Sequence, residues 1–284
     1  MYLPGGGLVR LQELIASLSD SEARVAKYIL DNPGEFVGLT LQEVSRRSGG
    51  SPAAVVRLWK SLGFEGFNDL KFRVASDIQS RGAGGYTELK RGGSFGDILH
   101  SVQESHVVSI ENTFRLLKEY DVQEVADALV KAGKTLAFGG GASGVIALDF
   151  AQKLLRIGLP VHCPADFHTA AVTAAHLGRD DVMVAVSYSG RTTDLVEVAK
   201  IAAANGARVV AITRFGDTPI SRAASICLHI SSVEPEIRLA ATASRISALA
   251  VIDALFIYLA NQHYESVYEA LELTRGAVRT HKLG

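Results

Sequence analysis

The run AVSYSGRTTDL, Ala185 to Leu195, gathers four short hydroxyl side chains, Ser187, Ser189, Thr192 and Thr193, around Gly190 and Arg191. An apolar run, VMVAV, leads directly into it. Short hydroxyls donate and accept hydrogen bonds without steric bulk, so a cluster at the end of a buried segment can hold an oxyanion. Nothing beside them supplies the nucleophile and base that covalent catalysis needs. A second run, FGGGASG, ends another apolar segment in Gly139, Gly140, Gly141, Ala142 and Ser143. If both segments are strands and both turns open helices, two sets of unpaired N–H groups and two positive helix ends point outward, which suits a phosphate. Side-chain capping is the alternative use of Ser143 and of one of Ser189, Thr192 or Thr193.

Other chemistries fit less well. The glycine run is not a nucleotide P-loop, because no Gly-Lys-Ser/Thr closes it. Gly139, Gly141 and Gly144 match GxGxxG by spacing. The second apolar segment, however, ends LPVHCPAD, where Asp166 follows a proline and makes a poor ribose partner, so no nicotinamide cofactor is expected. For proton transfer between sugar carbons the candidates are Glu234, Glu236, His168 and His176, with no paired acid and base among them. Glu236 is instead a candidate for contacting sugar hydroxyls. Cys163 and Cys227 sit inside apolar runs and read as reduced core thiols without metal-ligand spacing. No metal, cofactor or catalytic residue is expected.

Composition bounds the elements that must position these groups. Of 284 residues, 48% are hydrophobic and 21% charged, with a net charge of −1, so bulk charge draws the chain to neither nucleic acid nor membrane. No charged segment followed by an apolar one opens the sequence, so no signal peptide is expected. The most apolar helical stretch, ISALAVIDALFIYLA, carries Asp253 in its middle and reads as a buried helix, not a membrane span. A cytoplasmic location follows as the expectation.

From Lys134 onward, TLAFG, LPVHC, VMVAVS, ARVVAIT and SICLHI are short, β-branched and apolar on both parities, as parallel strands buried on both faces are. Helical patterns separate most of them, over 143–157, 169–177 and 193–205, with a short helical turn in 219–224 and a last helix over 238–261. This alternation predicts an α/β doubly wound, flavodoxin-like sheet of order 2-1-3-4-5. In that order the ligand crevice lies outside the carboxyl ends of the first and third strands, where the two hydroxyl turns meet.

The first 80 residues read as helix throughout, with SDSE at Ser19–Glu22 as a capping box. Leu39 to Phe67 has the layout of a helix-turn-helix. Thr40 caps LQEVSRRS, Gly49-Gly50-Ser51 turns, and Ser51-Pro52 starts the second helix. In such a unit the start of the second helix meets base edges in the major groove. Those residues are Ser51, Ala53, Ala54 and Arg57, with Arg57 able to grip a guanine edge, while Arg46, Arg47 and Lys60 suit phosphates. A small helical bundle for protein contacts is the other reading. RGAGGYTELKRGGS, 81–94, is a linker, and a helix over 95–120 connects it to the second half.

The line TLQEVSRRSGGSPAAVVRLWKSLGFEGFNDLKFRV resembles the helix-turn-helix domain of the RpiR family of bacterial transcriptional regulators, through Arg57, Lys60, Leu62-Gly63-Phe64, Gly66-Phe67 and Leu70-Lys71. It departs near Ala54 and Val55, where the family commonly has threonine, and at Trp59, where phenylalanine is usual. The second half resembles the SIS (sugar isomerase) domain through FGGGASGVIALDFAQKLLRIGLPVH, DVMVAVSYSGRTTDLVEVAKIAAANGARVVAIT and ATASRISALAVIDALF. The resemblance implies two domains, a helical DNA-binding domain over 1–80 and a sugar-phosphate-binding SIS domain over 121–284. It implies a homodimeric or homotetrameric regulator that binds double-stranded operator DNA under control of a sugar phosphate. It also implies that Ser143, Ser187, Ser189 and Thr192 hold the phosphate, with Gly141, Gly190 and Glu236 in the same site. A sugar-phosphate isomerase and a structural scaffold are the alternative readings.

Overall fold

The computed structural model describes residues 6–80, 93–232 and 241–279. The chain divides into two compact units, one ending at Leu116 and the other beginning at Leu117.

The first unit is helical: α1 (Gly7–Leu14), α2 (Asp20–Asp31), α3 (Pro33–Phe36), α4 (Leu41–Ser48), α5 (Pro52–Ser61), α6 (Phe67–Ser80) and α7 (Phe95–Leu116). Its core is aliphatic, with Leu8, Leu11, Val25, Ile29, Val44, Val55, Leu58, Leu62 and Leu70 fully buried around Phe36. Asp77 of α6 accepts the N–H groups of Gly6 and Leu8 at 2.7 and 2.8 Å, satisfying the open start of α1 from another helix. Arg10 is buried with its guanidinium on the Leu62 carbonyl, at 2.8 Å, and over the Phe64 ring, at 4.7 Å from the centroid. Burial lowers its pKa. The Ser19–Glu22 capping box is present. NPGEF does more than break a helix: Pro33 at the first position starts the short α3.

The second unit runs α8 (Glu119–Lys131), β1 (Thr135–Gly139), α9 (Ala142–Arg156), β2 (Val161–His162), α10 (Phe167–Ala175), β3 (Val182–Val186), α11 (Thr193–Ala204), β4 (Arg208–Arg214), α12 (Pro219–Ala223), β5 (Ile226–Ile230), α13 (Thr242–Gln262) and α14 (Tyr264–Arg279). The strands pair in parallel in the order β2-β1-β3-β4-β5, as the sequence predicts. Strand alternation divides the core. Val182, Val184 and Val186 face one layer with Ile146, Phe150, Leu154, Val251 and Leu255. Met183 and Ala185 face the other with Ala170, Ala174, Leu195, Val198 and Ile220.

Two expectations change. The helix over 95–120 is broken: α7 ends at Leu116, Lys118 is extended, and α8 starts a new helix that packs on the sheet through Val125, Ala126 and Leu129. A further helix, α14, follows the predicted last one. The start of that predicted helix, 238–240, and most of the expected linker lie outside the described residues. α13 is long and apolar enough to cross a membrane by length and composition, with mean hydropathy 1.7, yet it packs into the sheet core and Asp253 pairs with Lys153 at 3.1 Å.

Candidate functional site

In the second unit, the turns after β1 and β3 and the first turn of α13 enclose a cavity of about 190 Å³. Glycines make the β1 turn tight. A β-carbon on Gly139 would lie 2.6 Å from the Ser143 carbonyl oxygen, and one on Gly144 would lie 2.8 Å from the Gly139 oxygen. The glycines at 139 and 144 thus permit close packing of β1 on the start of α9. Gly141, the residue before α9, holds φ +55 and ψ −122, a conformation that favours glycine.

Ser143, Ser187, Ser189 and Thr192 all line the cavity, with Gly140, Ala142 and Tyr188. Gly141 and Gly190 shape the turns without lining it, and Glu236 lies outside the described residues. Helix capping does not consume the hydroxyls at α9 and α11. Gly141 and Thr192 occupy the two cap positions, and neither makes a side-chain cap bond. The Ser187 and Thr192 hydroxyls lie 3.3 Å apart. Ser187 Oγ accepts the Gly190 N–H at 3.2 Å, and Ser189 Oγ accepts the Arg191 N–H at 3.3 Å. Both oxygens act as acceptors there, so each keeps a proton to donate, that of Ser189 to an acceptor from outside and that of Ser187 to Thr192 or to such an acceptor.

The third wall escaped the sequence reading. Ala241, Ser244, Arg245 and Ala248 complete the cavity from the start of α13. Ala241 has φ +54, the positive-φ residue other than glycine among the described residues, a strained conformation that collects at functional sites. Three helices, α9, α11 and α13, thus begin at one cavity with their positive ends toward it. Arg245 adds a full charge, and no carboxylate is among the lining residues described. Such a site favours an anion. His168 and His176 do not line it. A larger groove of about 470 Å³ lies at the amino ends of the strands, where Glu124, Asp127, Asp180 and Asp181 mix with Lys131, Arg179 and Arg208. Its mixed charge and its position opposite the strand carboxyl ends make it the poorer site for a phosphate.

In the first unit, α4 and α5 form the expected pair. Thr40 and Glu43 make a reciprocal capping box, with the Glu43 carboxylate accepting the Thr40 N–H at 2.8 Å. Those bonds hold the Glu43 carboxyl below the usual range. Gly49 turns the chain at φ +65, and Gly50 is required because a β-carbon there would lie 2.5 Å from Val25 Cγ2. Ser51 caps α5 by accepting the Ala54 N–H at 3.1 Å. Ser51, Ala53, Arg57 and Lys60 are exposed on α5, and Arg46 and Arg47 are exposed on the last turn of α4. Ala54 is a correction: it is fully buried with Val55 and Leu58, so it faces the core and cannot reach a base. Periodicity carries this result, because 54, 55 and 58 follow the inward stripe while 53, 57 and 60 follow the outward one.

Comparison with known proteins agrees with both halves. Residues 5–81 match the helix-turn-helix domain of the rpiR family and residues 128–258 match the SIS domain. The chain is 34% identical over 279 residues to the HTH-type transcriptional regulator YbbH of Bacillus subtilis strain 168, covering 98% of this chain and 99% of that one. It is 30% identical over 248 residues to the regulator HexR of Pseudomonas aeruginosa, covering 87% of each. The structure of the Vibrio vulnificus NanR protein complexed with ManNAc-6P superposes with a TM-score of 0.63 at 27% identity, over 98% of this chain and all of that one. YbbH and HexR are named as transcriptional regulators, not isomerases. The chain belongs to the RpiR family of helix-turn-helix transcriptional regulators with an SIS domain.

Proposed function

We propose that a sugar phosphate bound in the α9–α11–α13 cavity controls the affinity of this regulator for its operator. The observation that carries this is the cavity itself: the hydroxyls of Ser143, Ser187, Ser189, Thr192 and Ser244, three helix starts and one arginine, with no carboxylate among the described lining residues. Ser143, Ser187, Ser189 and Thr192 hold the phosphate together with the N–H groups of α9 and α11. Arg245 supplies charge, and Glu236 is assigned to the sugar hydroxyls. The complex of NanR with ManNAc-6P supports the ligand class.

The DNA-binding domain spans 1–80, with a linker over 81–94, a connection through 95–120 and the SIS domain over 121–284. Arg57 reads a base edge, with Ser51 and Ala53 close to the groove floor, and Arg46, Arg47 and Lys60 neutralise phosphates. The active form is a homodimer or homotetramer in the cytoplasm, because paired recognition helices match the two half-sites of an operator. The effector acts by binding two arrangements of the regulator with different affinity.

The experiment is a thermal-shift screen of the full chain against sugar phosphates, repeated on the Ser187→Ala, Ser189→Ala double variant. A stabilising ligand for the parent, lost in the variant while binding to duplex DNA persists, supports the proposal. An unaltered shift in the variant removes the hydroxyl cradle from the site.

A further inference from the structure

We propose that Glu22 and Glu35, neither of them on the helix-turn-helix pair, are positioning residues of the DNA interface. Each fixes one arginine of that pair. The proposal rests on the reading of α4 and α5 as the operator-binding helices.

The two carboxylates divide their oxygens in the same way. Glu22, near the start of α2, is nearly buried, and its Oε2 accepts the Ser19 N–H at 3.3 Å and the Ser19 hydroxyl. Its Oε1 faces Arg57 Nε at 3.9 Å. Glu35 of α3 accepts the Tyr28 hydroxyl at 2.8 Å through Oε2 and pairs with Arg47 Nη1 through Oε1. Each acid is anchored by one oxygen and faces an arginine with the other, Glu35 through a hydrogen bond to Arg47 and Glu22 through an ion pair with Arg57 at 3.9 Å, beyond hydrogen-bond reach.

An acid beside a phosphate-binding surface works against affinity, since that surface gains from net positive charge. Its presence calls for a compensating gain, and the paired atom of Arg57 supplies one. A contact at Nε leaves the two terminal nitrogens free as a fork, the group that grips guanine O6 and N7. The Arg57 side chain is 54% exposed, so the fork projects beyond the acid. Held this way, the guanidinium is presented to a base edge instead of sweeping across neighbouring phosphates. Arg46 and Lys60 are in no ion pair among the described residues, as suits mobile phosphate contacts. Glu22 therefore acts on selectivity, and Glu35 competes with the phosphates for Arg47, weakening that contact without abolishing it.

The test uses the full chain, a duplex that it recovers from a randomised pool, and a scrambled duplex of the same composition. Glu22→Gln keeps the capping box, because Gln serves at that position as Glu does, and removes only the charge. The expected result is a preference for the recovered duplex reduced about tenfold, with affinity for the scrambled duplex equal or higher and the thermal midpoint kept. Arg57→Ala should lose the same preference, and Glu22→Gln should cost nothing further in that background. If Arg57→Ala loses the preference and Glu22→Gln keeps it, the role of Glu22 is overturned while the reading of α5 stands. Equal weakening on both duplexes, the mark of a structural role, overturns it as well. An Arg57→Ala chain that selects as the parent does overturns the reading of α5 and this proposal with it. Glu35→Gln, which caps no helix, is the second variant. Freed Arg47 should steepen the salt dependence of log affinity by up to about one unit, and an unchanged slope overturns the role of Glu35.

Discussion

Gly190→Ala is the sharpest perturbation of the hydroxyl turn. Gly190 sits at φ +65, and a β-carbon there would lie 2.4 Å from Thr218 Oγ1, 2.6 Å from Thr218 Cβ and 2.9 Å from Thr213 Oγ1. Those atoms belong to β4 and to the cap of α12, and the Gly190 carbonyl accepts the Ile220 N–H at 3.1 Å, so the turn cannot slide away freely. A left-handed alanine costs about 1–2 kcal/mol, and the enforced overlap adds about 1–3 kcal/mol. The sum is roughly 2–5 kcal/mol. Gly158 is the control, with φ +75 and nothing within 4 Å of its added β-carbon; Gly158→Ala should cost only the backbone share, about 1–2 kcal/mol. Native-state hydrogen exchange of the β3 and β4 amides reads the stability of this sheet directly. Equal losses in the two variants would refute the crowding argument, because backbone conformation alone would then account for both.

Three further outcomes are expected. Arg245→Gln should weaken any sugar phosphate that stabilises the parent by about tenfold or more, as loss of a charge-assisted contact does, and an unchanged thermal shift would place Arg245 outside the binding geometry. Ser51→Ala removes the α5 cap and should lower the stability of the helical unit by about 1 kcal/mol, visible as a lower unfolding midpoint. Burial pushes the Cys227 thiol up to about 11, so the native chain should resist alkylation at pH 8 and react once unfolded. The sign for stability follows, since the folded state holds this proton more tightly. The contribution is complete below the ordinary thiol range, near 8.5, and is lost as pH rises toward 11.

Much of the second unit was legible because parallel strands carry their own signal. VMVAV is apolar on both parities, and only a strand covered on both faces needs that. Strand order then placed the Gly139 and Ser187 turns side by side without any knowledge of contacts. Arg245 was not legible, because no strand-end rule points to the start of a helix some 55 residues further along. The break at Lys118 escaped for a related reason. The apolar spacing of α7 runs close to that of α8, and neither proline nor glycine punctuates the join. In the helical unit the caps at Thr40 and Ser51 were readable as local chemistry. The burial of Ala54 was readable as well, from its place on one helical stripe with Val55 and Leu58.

The β1–β3 ladder pairs Thr135 with Val182 and Gly139 with Val186, so neighbours in the sheet are separated by an entire helix–strand–helix excursion of the chain. Such pairing closes a long loop and is slow to form. The cavity straddles the carboxyl end of this ladder, with Ser143 on one bank and Ser187 on the other. An anion held by both banks works as a staple across the most non-local strand pairing of the sheet. Its presence should register as a longer lifetime against protease as well as a shifted equilibrium, tying the persistence of the regulator in the cell to the supply of its effector.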